Sequence, residues 1–323
     1  MLSRVADAIY WMNRYLERAD NIARFIDVNY HLSLDLRGGD EQWLPLVATT
    51  AALPQFHERF DRPTRGNVIK FLAFDRENPD SILSCVERAR ENARAVRDQI
   101  TIETWEEINT FYLMVRHEAA LDNVTGDPHR FLSNVKTTGG LIQGVTDATT
   151  SRSEGWHWGR IGRMLERADK TSRILDVKYF ILLPAVTDVG TPLDDLQWTA
   201  LLKSASALEM YRKRYGRIAP ERVAEFLLLD REFPRSVQFC LHLADVSLRT
   251  ITGTQGETFS NPAEQMLGRL GSMLAYSGIE EIVTAGLHEF LDQLQRDLNT
   301  VDDAIHDGFF ALRPAAATIG GNQ

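Results

Sequence analysis

The chain has 323 residues, enough for one large domain or about two of average size. Its composition, 44% hydrophobic and 25% charged with 21 glycines and 11 prolines spread along the sequence, excludes wholesale disorder. A formal charge of -9 and an isoelectric point near 5.4 exclude a general nucleic-acid binder, which needs a basic surface to displace counterions from phosphates; a local arginine cluster can still hold one anion.

The N-terminal stretch MLSRVADAIYWMNRYLERAD carries Arg4, Asp7 and Arg14 where a secretory signal requires an unbroken apolar run, so it reads as mature protein. Within it Ile9, Met12, Leu16, Ala19, Ala23, Ile26 and Tyr30 recur at spacings of three and four, which predicts one long helix with a continuous apolar stripe. On a helical wheel Asn13, Glu17, Asp20 and Arg24 form a polar stripe beside it, with Asp27 at its edge, while Arg18 is expected to point elsewhere, toward the side of Trp11 and Phe25.

The phrase Leu16-Glu17-Arg18-Ala19-Asp20 returns as Leu165-Glu166-Arg167-Ala168-Asp169. Aligned at an offset of 149, residues 16 to 30 and 165 to 179 share nine identities in fifteen positions. A longer second copy then moves the offset to 155, where Gln42-Trp43 matches Gln197-Trp198 and FLAFDRENPDS from Phe71 matches FLLLDREFPRS from Phe226. Further on, HRFL from His129 and HEFL from His288 align at 159. Two halves are expected, 1–148 and 149–313, packed as one globular unit about a pseudo-two-fold axis, followed by a flexible tail from Pro314.

Strand signals are thin, since alternating runs with Asn-Gly or Asp-Gly turns are missing, so the expected fold is all-α, a helical bundle. Pro79 and Pro234 stand behind matching Asp-Arg-Glu triplets, Asp75 to Glu77 and Asp230 to Glu232. There one helix is expected to end, with the arginine facing its C-terminal dipole, and another to begin with proline in its first turn. Ser151 and Glu154 have capping-box spacing ahead of the second motif helix. The longest apolar run, Tyr179 to Val186, is broken by Pro184 and too short to span a membrane. Two isolated cysteines, Cys85 and Cys240, read as buried small hydrophobes in a reducing, cytoplasmic compartment.

The repeated charges admit three readings. They form a solvated face, or an inward ionic network in which Glu17 and Arg24 meet Arg173 and Glu166, or a ligand site. In the last, Arg18, Arg24, Arg167 and Arg173 clamp a carboxylate or phosphate, and Glu17 and Glu166 orient an amine or act as bases. A di-iron centre needs two Glu-x-x-His motifs, and the sequence offers one, Glu154 to His157, so no metal is expected. His157, between Trp156 and Trp158, is a candidate general base or a core histidine.

The segments MLSRVADAIYWMNRYLERADNIAR, GWHWGRIGRMLERADKTSRILDVKY and FLLLDREFPRSV resemble the alpha-E domain proteins, a bacterial family of helical proteins named for a Glu-Arg motif, from Met1 to about Arg313. The resemblance places Arg14, Glu17, Arg18, Asp20 and Arg24, then Arg163, Glu166, Arg167, Asp169 and Arg173, in the motif. It also implies gene clusters with an ATP-grasp ligase and a transglutaminase-like protease, sometimes fused to the former, and hence amide-bond chemistry on a peptide. The expected function is that of a partner of the ligase, binding ligase, peptide or acyl intermediate, with ATP and Mg supplied only through that partner. One alternative is an amino- or acyl-transferring enzyme using Glu166 and His157 as acid or base, Arg167 as anion clamp and Trp156 for stacking; another is a non-catalytic scaffold. The first copy has Asn13 where the second has Gly162 and lacks the Gly155-Trp156 pair, so a single site is expected near the second copy.

Overall fold

The computed structural model describes residues 1–35, 43–121, 127–180, 192–256 and 258–311. The expected tail and most of the inserted segment before Asp194 lie outside them. Among the described residues there is no strand. In chain order the first half holds α1 (Ser3–Asp35), α2 (Leu44–Ala48), α3 (Leu53–Arg59), α4 (Arg65–Ala73), α5 (Ile82–Ala95), α6 (Ile102–Leu121) and α7 (His129–Thr149). The second holds α8 (Glu154–Phe180), α9 (Pro192–Ser204), α10 (Leu208–Tyr215), α11 (Pro220–Leu229), α12 (Val237–Thr252), α13 (Pro262–Tyr276), α14 (Ile279–Ala285) and α15 (Leu287–Ile305), closed by a π-helical turn, His306–Phe310.

The 33 residues of α1 contain neither glycine nor proline, so nothing interrupts the backbone ladder, and the whole predicted apolar stripe is buried. Helix α1 lies alongside α8, and each carries its own half: α5 and α7 pack on α1, with α6 bridging them, as α12 and α15 pack on α8, with α13 bridging. Two apolar cores result. One gathers first-half residues and takes Ile174 from α8; the other gathers second-half residues and takes Ala6, Ala8, Ile9 and Tyr10 from α1 and Val96 from the end of α5. No helix of the described residues is long and apolar enough to cross a membrane.

Three local expectations are corrected. Helices α5 and α12 begin after Ser81 and Ser236, whose hydroxyls accept from the amides of Ser84 and Phe239 at 3.1 Å each, so Pro79 and Pro234 stand two residues ahead of the caps. Behind α4 and α11 the aspartates of the triplets, not the arginines, close the turn: Asp75 Oδ1 accepts from the Glu77 amide at 3.0 Å, and Asp230 Oδ1 from the amides of Glu232 and Phe233 at 2.8 and 2.7 Å. Helix α8 starts at Glu154 itself, too late for Ser151 to cap it. The Glu154 carboxylate instead accepts from the Met1 ammonium at 2.7 Å and from Trp158 Nε1 at 3.3 Å.

Candidate functional site: a reciprocal ion-pair clasp and the groove beside it

Helices α1 and α8 run in the same direction. Met1 faces Gly155, Asn13 faces Gly159, and the Tyr10 carbonyl faces Gly162 so closely that a Cβ there would sit 2.4 Å from the oxygen. The contacts Tyr10–Gly162 and Asn13–Gly159 exchange under the offset of 149, as a two-fold axis between parallel helices requires. Glycines on α8 thus set a separation that side chains would prevent.

At that separation the two Glu-Arg motifs interlock. Arg18 donates from Nε and Nη2 to Glu166 Oε1 and Oε2 at 2.6 and 2.8 Å; Arg167 donates from Nε and Nη2 to Glu17 Oε1 and Oε2 at 2.8 Å each. Both are fork-to-fork pairs, the strongest geometry available to these groups. Glu166 is 0% exposed and Glu17 6%. The inward ionic network is therefore present, with different partners from those expected. Arg24 pairs with Asp20 at 2.8 Å and Arg173 with Asp169 at 2.9 Å, each within its own helix, and Arg18 and Arg167 make the crossing. A wheel drawn for a single helix assumes one wet side, whereas α1 is covered by α5, α7, α8 and α9 together.

Each carboxylate has further cations. Glu166 accepts from Arg14 Nε at 3.0 Å and lies 3.6 Å from Lys170 Nζ, while Arg18 also holds Asp80. Glu17 accepts from Arg235 at 3.1 Å, and Arg235 reaches Asp20 at 2.8 Å and Asn21 at 2.9 Å. Asp80, Lys170, Asn21 and Arg235 are not among the residues the sequence singles out, although a signal is present. At the offset of 155 Asp80 matches Arg235, and at 149 Asn21 matches Lys170. Both extra cations thus come from the second half: Lys170 of α8 serves Glu166, and Arg235, from the loop before α12, serves Glu17.

Burial alone pushes both glutamates toward the neutral form, but the guanidiniums overcome it. Arg18, then Lys170, hold Glu166 well below the usual carboxylate range, and Arg167 with Arg235 hold Glu17 well below it. Carboxylates so committed have little basicity to offer a substrate. The thiols of Cys85 and Cys240 are fully buried, and burial pushes each up to about 12.

His157, the expected partner of Glu166 in acid–base work, stands nine positions earlier on α8, about 13 Å along the axis. It belongs to a different cluster. Trp156 lies beneath the guanidiniums of Arg152 and Arg160, at 4.2 and 5.2 Å from its ring centroid, and meets the His157 ring edge-on at 5.0 Å. Burial and then the charges of Arg160 and Arg152 push His157 down, and its Nδ1 is buried without a hydrogen-bond partner.

Arg163 links these two regions. It occupies the place that Arg14 holds in the first copy, but Arg14 pairs with Glu166 and Asp302, at 3.0 and 2.6 Å, whereas Arg163 has no hydrogen-bond or ion-pair partner among the described residues and its Nε is buried. It lines two cavities of about 60 Å³ each that meet at Asn13, Thr146 and Arg163, in a groove between α1, α7 and α8. Arg160 and Trp156 line the first cavity; Arg24 and Arg235 line the second.

A family model described as a predicted alpha-helical domain with a conserved ER motif matches residues 1–310. Uncharacterised proteins of Mycobacterium bovis and Mycobacterium tuberculosis are 25% identical over 329 aligned residues, which cover 94% of this chain and 36% of theirs. The chain therefore spans about a third of the length of these curated relatives. No solved structure matches. The chain belongs to the Alpha-E family.

Proposed function

We propose that the protein is an anion-receiving partner of an ATP-grasp amide ligase, and that it holds the carboxylate or acyl-phosphate end of a peptide in the groove at Arg163. The clasp is then the frame of the site and Arg163 its reader. Arg163 carries this reading: its buried Nε has no hydrogen-bond partner and no acid is paired with it directly, and a ligand carboxylate or phosphate supplies such a partner in two-point geometry. Each adjoining cavity, about 60 Å³, has room for one such group. Trp156, with the guanidiniums of Arg152 and Arg160 over its ring, borders the groove and adds an aromatic and cationic rim for the rest of a peptide. The length of the curated relatives supports work within a larger assembly, since most of each lies beyond the matched segment. With Glu166 and Glu17 saturated by cations, the activated bond is made by the partner.

The test uses a short peptide with a free C-terminal carboxylate, the same peptide amidated, and acetyl phosphate, followed by tryptophan fluorescence and referenced to Trp156→Phe. Saturable binding of the carboxylate or acetyl phosphate, lost on amidation and in Arg163→Met, is the expected result. Equal binding of the amidated peptide, or binding undiminished in Arg163→Met, overturns the site. Reconstitution with an ATP-grasp ligase of the same gene cluster, read as product mass, then tests the partnership: product formed equally without this protein excludes it.

A further inference from the structure

A second cluster lies at the far end of α1, away from the clasp. Asp27 and His31 are one turn apart on α1 and face His129, the first residue of α7. Asp27 Oδ1 is 2.7 Å from His129 Nδ1 and 3.6 Å from His31 Nε2, and the two ring nitrogens are 3.0 Å apart. His129 Nδ1 has one in-plane direction, so a linear hydrogen bond serves only one of its two short contacts. A cation at the centre serves all three atoms. Donors about 2.1 Å from a metal are separated by about 3.0 Å at a right angle and about 3.4 Å at the tetrahedral angle, and the three observed separations bracket these values.

The surroundings suit such an ion. Lys136 holds Asp27 Oδ2, which leaves Oδ1 as the donor and fixes the carboxylate plane. Asp27 is buried, while both histidines are about half exposed, so the centre is anchored on one side and open on the other. Asp27 and His31 also line a cavity of about 290 Å³ whose wall carries Arg24, Lys136 and Lys203, a setting for an anionic ligand. The second half provides an internal comparison. Asp176 Oδ1 and His288 Nδ1 repeat the carboxylate–imidazole contact at 2.7 Å, but Phe180 occupies the position that matches His31. A search for Glu-x-x-His passes over this site, because its donors are an Asp and a His four apart and a second His about a hundred residues later.

We propose that Asp27, His31 and His129 bind one divalent first-row transition ion of the zinc type, with its open coordination positions toward the cationic cavity. Two imidazoles and one carboxylate with open positions are a donor set such ions favour.

The untagged full chain, stripped with a chelator, is titrated with Co²⁺ as the visible-absorption probe and then with Zn²⁺ as competitor. One Co²⁺ per chain, displaced by Zn²⁺, is expected, with affinity at least about tenfold lower in His31→Phe and in His129→Ala, and unchanged in His288→Ala. His31→Phe installs the residue of the other half, and circular dichroism verifies that each variant is folded. Absence of stoichiometric Co²⁺ binding, or binding equal in wild type and in folded His31→Phe and His129→Ala, overturns the proposal.

Discussion

Arg18 grips Glu166 of the neighbouring helix with Nε and Nη2 at 2.6 and 2.8 Å, and the same relation with roles exchanged joins Arg167 to Glu17. Breaking such a pair leaves a buried charge, so Arg18→Ala and Arg167→Ala are each expected to cost about 3 to 5 kcal/mol in denaturant unfolding. Replacing both partners, as in Glu17→Leu with Arg167→Met, is expected to cost less than the sum of the single variants. A double-mutant cycle showing simple additivity would remove the clasp as a coupled unit.

The clasp is also expected to contribute to the acid limit of stability. Glu17 and Glu166 have folded pKa values below the ordinary 4.5, so the unfolded chain binds protons first as pH falls. Their contribution is complete above about pH 4.5 and is lost as pH drops toward the folded values. Glu17→Gln is expected to flatten the dependence of unfolding free energy on pH between about 5 and 3. A slope equal to that of the wild type would assign acid denaturation to other carboxylates.

Much of this is legible in the chain itself. The stripe from Ile9 to Tyr30 is core throughout, and the duplicated LERAD phrase marks the residues that meet. Which charges cross is not legible, because a wheel cannot show that a helix is enclosed on every side. The differences between the copies are as informative as the identities. Asn21 against Lys170, and Asp80 against Arg235, look like drift along the sequence, yet each is a charge adjustment around one of the two glutamates. Arg163 needs three dimensions, since neither of the ion pairs that Arg14 makes, with Glu166 and with Asp302, has a counterpart at Arg163.

Glycine positions on α8 and α7 should separate cleanly. A methyl at Gly162 meets the Tyr10 carbonyl at 2.4 Å, and Gly162→Ala is expected to destabilise by about 1 to 3 kcal/mol by forcing α1 and α8 apart. At Gly140, on α7, nothing lies within 4 Å of the place a methyl would take, so Gly140→Ala is expected to stabilise by about 0.4 to 1 kcal/mol through the unfolded chain. Thermal melts of the two variants shifting in the same direction would contradict the close approach.

The two thiols give a probe of global opening. Cys85 and Cys240 are enclosed in separate cores, and burial pushes each up to about 12. Neither is expected to react with an aromatic disulfide reagent at pH 8 until the chain unfolds, and both should then react at one rate. Rapid labelling of either in the native protein would show that its half opens locally.

Arg163 and Arg14 occupy matched places with opposite energetics, and this separates binding from stability. Arg14 neutralises Glu166 and Asp302, so Arg14→Met leaves two acids short of a cation and is expected to destabilise by about 3 kcal/mol. Arg163 is partly buried, its Nε fully so, and makes no hydrogen bond or ion pair among the described residues; burial and then the charge of Arg167 push its guanidinium down, against the weaker pull of Asp147 and Glu17. Arg163→Met removes that cost and should raise stability by about 0.5 to 2 kcal/mol while abolishing anion binding, the trade expected where a site holds a charge in readiness for its ligand. Unfolding curves with and without acetyl phosphate measure both effects: the ligand should stabilise the wild type and leave Arg163→Met unmoved. If Arg163→Met proves as unstable as Arg14→Met, the guanidinium has a structural partner and the groove has no vacant charge to offer.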